Sequence, residues 1–143
     1  MEDIIFGMGN ITHSDGSSYE GEILNGLPHG KGKSFTTNSH TYEGDWVEGL
    51  PNGKGKNTYL NGSTYEGDFV DGRPNGKGIH SKHDGGGTCE GDWVNGKQHG
   101  KGILTFLDGT QIEWEFVHGQ PTRMITMTTP DDETYEDNSL CGL

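Results

Sequence analysis

Over residues 42–47, a set of aromatic residues and glycine alternates with a mainly acidic set. The two alternating sets are Tyr42, Gly44 and Trp46, and Glu43, Asp45 and Val47. A period of two predicts a β-strand with aromatic residues on one face, here called the ring face, and charged residues on the other, here called the ionic face. The alternation resumes over residues 53–59 after a predicted turn at 48–52. This stretch therefore predicts a β-hairpin.

The same hairpin pattern returns at a nearly constant interval. The first aromatic position recurs every 23 or 24 residues, at Tyr19, Tyr42, Tyr65, Cys89 and Ile112. A fixed period of this length is the signature of repeats that stack side by side. The sequence predicts an all-β fold: an elongated, single-layer, twisted antiparallel sheet of stacked hairpins. The predicted array of about five to six repeats covers residues 1–129, and its first and last copies are partial or degenerate.

Charged residues of neighbouring repeats predict the strand register. A three-residue loop at 60–62 places every charged residue on one face, whereas a two-residue loop at 61–62 places lysines among the aromatic rings. The three-residue loop sets Lys31 opposite Asp45, Lys33 opposite Glu43, Lys54 opposite Asp68, Lys56 opposite Glu66 and Lys101 opposite Glu115. Such pairs contribute about 0.2–1 kcal/mol each. We interpret the Gly-Lys-Gly-Lys stretches as a cross-strand ladder, and an anion site is the alternative.

The ring face is predicted to carry rows of mainly aromatic side chains separated by glycines. Glycine leaves room for a neighbouring ring over the backbone, so we expect the rings to pack sideways along the sheet. Because a single layer leaves part of this face uncovered, we also predict a groove that binds a protein segment, and an amphipathic helix is the favoured partner form. The residues predicted to line this groove are Tyr19, Tyr42, Trp46, Tyr65, Phe69, Trp93, Trp114 and Phe116.

Composition and charge argue against several classes of function. The 143 residues carry a formal net charge of −12, which disfavours nucleic acid and anionic membrane surfaces as partners. A phosphate-binding loop is disfavoured because Leu27 stands where that motif needs glycine. His29 and His99 occupy turn positions that hold Asn52 and Asn75 in other repeats. No spacing matches a metal site or sets a nucleophile beside a base, so we expect no catalytic residue, metal or cofactor.

The cysteines and the chain ends predict the cellular location of the protein and a C-terminal segment separate from the repeat array. Cys89 and Cys141 lie far apart in sequence, and we expect free thiols in a reducing compartment. The acidic start shows no secretory signal, and no apolar run approaches the roughly 18 residues of a membrane span, so we predict a cytoplasmic protein.

Residues 130–143 form an acidic tail. Thr129 before Pro130 is a helix-start signal, so the tail is either a short capping helix over the groove or a solvated tail.

The text Tyr-Glu-Gly-Asp-Trp at residues 42–46, followed by Gly-Lys-Gly at 53–55, resembles the MORN repeat, the membrane occupation and recognition nexus family. Four copies match well, with a half copy before them and a degenerate copy after them. The departures are Cys89 and Ile112 in place of tyrosine and Trp114 in place of glycine. The resemblance implies a twisted ribbon with an aromatic groove and a non-catalytic scaffold. It also implies membership of a larger assembly, such as the cytoskeletal structures that some family members accompany.

We therefore expect a non-enzymatic scaffold that binds a partner protein segment in an aromatic groove. Two alternatives stay open. One is a peripheral membrane or phosphoinositide adaptor, which the family name suggests and the charge disfavours. The other is a homo-oligomer that forms through the unpaired edge strands of a single sheet.

Overall fold

A computed structural model describes residues 6–37, 39–82 and 86–130, and they form one antiparallel sheet. Its strands lie in chain order, and each pairs with the strand before it and the strand after it. They are β1 (Phe6–Thr12), β2 (Ser18–Leu24), β3 (Leu27–Phe35), β4 (Thr41–Val47), β5 (Leu50–Thr58), β6 (Thr64–Val70), β7 (Arg73–Ser81), β8 (Thr88–Val94), β9 (Lys97–Thr105), β10 (Gln111–Val117) and β11 (Gln120–Thr128). The predicted all-β sheet of stacked hairpins is confirmed.

Three-residue loops close one edge of the ribbon. In the loop at residues 60–62, the Tyr59 amide donates to the Ser63 carbonyl at 2.9 Å, and the Gly62 amide donates back to the Tyr59 carbonyl at 2.9 Å. Gly62 has a φ of 87°, a left-handed conformation that glycine adopts without strain. Ser39 takes the same conformation, with a φ of 68°, at a position where the repeat pattern calls for glycine. The predicted three-residue closure is confirmed.

The opposite edge is closed by tighter turns than the sequence predicts. The expected turn at 48–52 is wrong, because β4 ends at Val47 and β5 begins at Leu50. Glu48 and Gly49 have φ values of 48° and 86°, as in the two-residue type I′ turns whose twist matches that of the flanking strands. Leu50 and Pro51, which the sequence assigns to a wide turn, instead pair with Val47 and Trp46, and the register shifts between Gly44 and Trp46 as in a β-bulge.

The observed register is the one that the charged residues predict. Lys54 lies opposite Asp68 and Lys56 opposite Glu66. The remaining predicted pairs are also in register: Lys31 with Asp45, Lys33 with Glu43, and Lys101 with Glu115. Charged residues therefore share one face of the sheet and the rings of the core lie on the other, and a one-residue slip would exchange the faces.

Each hairpin turn is also bonded to the preceding repeat. The Gly49 amide donates to the Pro28 carbonyl at 2.9 Å, and the Gly72 amide donates to the Pro51 carbonyl at 2.9 Å. These bonds satisfy turn amides with acceptors from a neighbouring hairpin, which couples adjacent repeats as expected for a stacked array. The predicted helix in the acidic tail lies outside the described residues.

Candidate functional site

Aromatic residues of the ring face contact one another edge to face along the sheet. The ring centroids of Tyr42 and Trp46 are 5.1 Å apart, and those of Tyr42 and Phe69 are 4.9 Å apart, with the planes nearly perpendicular. The same contact recurs between Tyr19 and Trp46, Tyr65 and Phe69, and Tyr65 and Trp93. This is the T-shaped arrangement that aromatic quadrupoles favour. The predicted sideways packing of the rings is confirmed.

The tyrosine hydroxyls are held by backbone carbonyls of their own hairpins. Tyr19 donates to the Glu22 carbonyl at 2.6 Å, Tyr42 to the Asp45 carbonyl at 2.8 Å, and Tyr65 to the Asp68 carbonyl at 3.1 Å. Burial raises the pKa of the Tyr42 and Tyr65 hydroxyls well above the ordinary value, because the charged form loses its solvation. These hydroxyls act as neutral donors within the core.

The residues predicted to line an aromatic groove are buried in the described structure. Tyr19, Tyr42, Trp46, Tyr65, Phe69 and Trp93 form one core cluster in which no member is more than 7% exposed. Phe116 is 2% exposed. Trp114 is partly buried against a second cluster of Cys89, Leu104 and Ile112. The rings thus form the core of the sheet and offer little surface to a partner, and their role in binding stays a prediction.

In the fourth repeat Cys89 stands in place of the tyrosine, and a side chain of the neighbouring strand fills space that the ring would occupy. Gln98, which stands where sister repeats have Pro51 and Pro74, is 2% exposed, and its Nε2 atom lies 3.1 Å from Cys89 Sγ. A Cβ built at Gly102 would lie 3.1 Å from that Gln98 nitrogen, so the amide occupies space that a tyrosine ring fills elsewhere. A signal for this exchange is present in the sequence, because glutamine replaces proline when the repeats are aligned with one another.

The expectation of free thiols is wrong for Cys89. No free cysteine is found among the described residues, and Cys89 is disulfide-bonded. Cys141, the other predicted free thiol, lies outside the described residues. Disulfides persist in oxidising environments and are rare in reducing ones, so the thiol argument for a cytoplasmic location no longer holds. The cytoplasmic location itself stays a prediction.

Two rows of charged residues run along the ionic face. The inner row pairs lysines with aspartates on the next strand: Lys31 with Asp45, Lys54 with Asp68, and Lys77 with Asp92. At the far end, Arg123 and Glu115 approach to 2.7 Å. The Lys31 ammonium holds the pKa of Asp45 below its ordinary value, and Lys54 does the same for Asp68. The lysine-rich stretches are therefore a cross-strand ladder, as the sequence predicts.

The aspartates of the inner row also hold the β-bulges. Asp45 Oδ2 accepts from the Lys54 amide at 3.0 Å, and Asp68 Oδ2 accepts from the Lys77 amide at 3.2 Å. Gly53, in the bulge beside Asp45, has a φ of 108°. One carboxylate thus joins the lysine of one repeat to the irregular backbone of the next, which ties the charged row to the geometry of the sheet.

The ionic face carries two grooves. The larger has a volume of about 1040 Å³ and runs across β1 to β6. Its charged lining residues are Glu20, Lys31, Lys33, Glu43, Lys54, Lys56 and Glu66, and its floor is glycine backbone. A second groove of about 470 Å³ continues across β6 to β10. The sequence predicts the charged residues of this face correctly, whereas the predicted groove is on the ring face.

His29 and His99 lie in strands β3 and β9 and not in turns as predicted, but His29 accepts a backbone bond as asparagine does at the equivalent position. His29 Nδ1 accepts from the Glu48 amide at 3.4 Å, and Asn52 Oδ1 accepts from the Asp71 amide at 3.1 Å in the next repeat. The His99 ring lies 5.5 Å from that of His118. Over residues 6–37, 39–82 and 86–130, no group of three or more His, Cys, Asp or Glu side chains is arranged to hold a metal ion.

Comparison with known families decides where this chain belongs. The MORN repeat family model matches residues 19–39, 42–64, 65–87 and 89–111. The chain belongs to the MORN repeat family. Its hairpins, their register and the packed rings are thus features of a MORN array. Family membership indicates a role in protein interaction or membrane association through the repeats, and the family is generally non-enzymatic.

A search of the curated proteins found no match to this MORN repeat protein. Within the described residues, no helix is long and apolar enough to cross a membrane.

Proposed function

We propose that this MORN repeat protein is a non-enzymatic scaffold that binds a protein segment in the groove of the ionic face and serves in a larger assembly. The observation that carries the proposal is the groove of about 1040 Å³ that extends over six neighbouring strands. Binding sites are concave surfaces in which backbone and a few polar groups converge. The ring face is the weaker candidate because its aromatic side chains are buried.

Charge in this groove favours a protein partner over an anionic lipid. Asp45 and Asp68 neutralise the lysines that line the inner wall, and Glu43 lies 3.8 Å from Lys33 on the outer wall. A wall of paired charges gives no net attraction for an anionic membrane surface, which binds clusters of unpaired basic residues. Paired charges do offer donors and acceptors to a polypeptide.

Site-specific photocrosslinking tests the proposed groove. A benzophenone amino acid replaces Lys56 in the groove, Tyr59 on the ring face or Leu107, which is 81% exposed in a loop. We expect one partner protein to crosslink through position 56 and not through position 107. Crosslinking through position 59 alone would place the partner on the ring face and overturn the proposal. Equal crosslinking at all three positions would also overturn it.

Self-association is the second candidate, and the edge strands favour it. β1 and β11 each have one neighbour among the described strands, and they carry exposed apolar side chains: Phe6 is 57% exposed, Met8 76% and Met124 47%. Unpaired edges of this kind are templates for pairing with another chain. Sedimentation velocity over a concentration series measures the association. Met124→Lys should abolish it if β11 is the interface, and Leu107→Lys is the matched control.

A further inference from the structure

The ionic face changes character halfway along the array. Its outer row alternates glutamate and lysine across β2 to β6, through Glu20, Lys33, Glu43, Lys56 and Glu66. From β7 onward, isoleucine replaces lysine while glutamate stays, and the row continues through Ile79, Glu90, Ile103 and Glu113. The second half of the row is therefore acidic and apolar, whereas the first half is balanced in charge.

The two isoleucines are surface residues. Ile79 is 39% exposed and Ile103 is 36% exposed, and both line the groove of about 470 Å³ together with Glu66, Glu90 and Glu113. An isoleucine here loses the cross-strand ion pair that lysine makes in sister repeats. Its side chain also stays more than a third exposed, so burial does not explain the exchange.

Glu90 and Glu113, beside these isoleucines, have no lysine across the strand in their own row. Glu90 lies between Ile79 and Ile103, and Glu113 lies between Ile103 and Thr126. Lys77 and Lys101 also line this groove, but they belong to the inner row. Lys77 pairs with Asp92, and Lys101 lies opposite Glu115. This part of the groove thus presents negative charge alternating with apolar surface.

We propose that the groove lined by Ile79, Glu90, Ile103 and Glu113 docks a basic amphipathic helix of a protein partner. This inference rests on the scaffold function proposed above and names the chemistry of the segment bound. Lysines or arginines of the helix face Glu90 and Glu113, and its apolar side chains contact the two isoleucines. Exposed apolar patches rimmed by charge are typical of such interfaces.

The spacing of the row selects a helix over an extended segment. Neighbouring strands lie about 4.8 Å apart, so carboxylate and isoleucine alternate at about that interval. A helix rises about 5.4 Å per turn, so successive side chains on one face are spaced at nearly the same interval. If cationic and apolar side chains alternate on that face, the cations are about seven residues apart. Same-side residues of an extended segment are about 6.7 Å apart and lose this match within two strands.

Fluorescence anisotropy with a designed peptide tests the proposal. The probe is an alanine-rich helical peptide of about 18 residues, long enough at about 1.5 Å per residue to span β6 to β10. It carries a lysine every seventh residue and a leucine midway between successive lysines. The control peptide has the same composition, with its leucines moved to the opposite face. We expect the probe to bind at least tenfold more tightly than the control, and more weakly at high salt.

Matched variants locate the site. Ile79→Lys with Ile103→Lys restores the row pattern of Lys33 and Lys56 and should weaken probe binding at least tenfold. Lys33→Ile with Lys56→Ile copies the acidic-apolar pattern into the first half and should create a second binding site. Glu90→Gln with Glu113→Gln provides an independent loss variant if the lysine variant does not fold. Unchanged probe affinity in the folded loss variants overturns the proposal, as does equal binding of the control peptide.

The crosslinking result keeps the two proposals separate. A partner that crosslinks through position 56, together with a probe that does not distinguish the variants, would retain the scaffold function and reject the basic helix. Absence of any position-dependent crosslink would reject the scaffold function itself, whatever the peptide shows.

Discussion

The hydroxyl oxygen of Tyr42 lies where a Cβ atom at residue 55 would stand. A Cβ built on Gly55 would be 2.2 Å from that oxygen and 2.4 Å from two ring carbons. Tyr19 covers Gly32 and Tyr65 covers Gly78 in the same way. The tyrosine of each repeat and the second glycine of its Gly-Lys-Gly segment are therefore one packing unit, and neither can change size alone.

Gly55→Ala should destabilise the array by about 1–3 kcal/mol, because overpacking a core forces side chains and backbone to move. Gly7→Ala is the matched control: no atom lies within 4 Å of a Cβ built there, so we expect a change within about 0.5 kcal/mol. Urea unfolding followed by circular dichroism measures both. Equal midpoints for the two variants would contradict the packing unit.

Glu48→Asn should stabilise the protein by about 0.5–1 kcal/mol, because asparagine tolerates the left-handed conformation better than glutamate. Glu48 has a φ of 48°, and Asn95 occupies the same turn position with a φ of 51°. The reciprocal change, Asn95→Glu, should destabilise by a similar amount. Thermal unfolding of the two variants checks the prediction, which fails if the midpoints move in the same direction.

His80 should make stability depend on pH below neutrality. Burial lowers its pKa, with Lys82 as a smaller cause, so the folded state favours the neutral ring. The contribution is complete above the unfolded value of about 6.5 and is lost as pH falls below it toward the lowered folded pKa. His80→Asn should flatten the free energy of unfolding over that range. Asn57→His, at the equivalent position, should steepen it.

Asp68 should contribute to the fall in the free energy of unfolding at acid pH. The Lys54 ammonium lowers its pKa, so the contribution is present above the unfolded value of about 3.9 and is lost as pH falls through the lower folded value. Asp68→Asn should lower stability at pH 7 by about 0.2–1 kcal/mol, as expected for an exposed ion pair. It should also flatten the decline below that unfolded value. Lys54→Met should flatten the same decline, and an unchanged decline in both variants would contradict the assignment.

The candidate binding surface shows the limit of sequence reasoning here. The alternation of Tyr42 with Glu43 separates the two faces correctly, but it does not reveal how much of each ring is accessible. In the folded sheet, Tyr65 is fully buried by its neighbours and Phe69 is 2% exposed, and accessible grooves lie on the ionic face. Ile79 and Ile103 were visible signals, because they break the lysine pattern of their row, but their meaning depends on which face is open.

The sequence by itself determined the repeat, the assignment of residues to faces and the register, because the pairs Lys54–Asp68 and Lys56–Glu66 are compatible with only one alignment of adjacent strands. The tertiary structure decided what depends on exact backbone path and packing. It placed a two-residue turn at Glu48 and Gly49, put the extra residues into a bulge held by Asp45, and buried the rings. Periodicity records which side a residue faces, whereas burial depends on how neighbouring repeats fill the space around it.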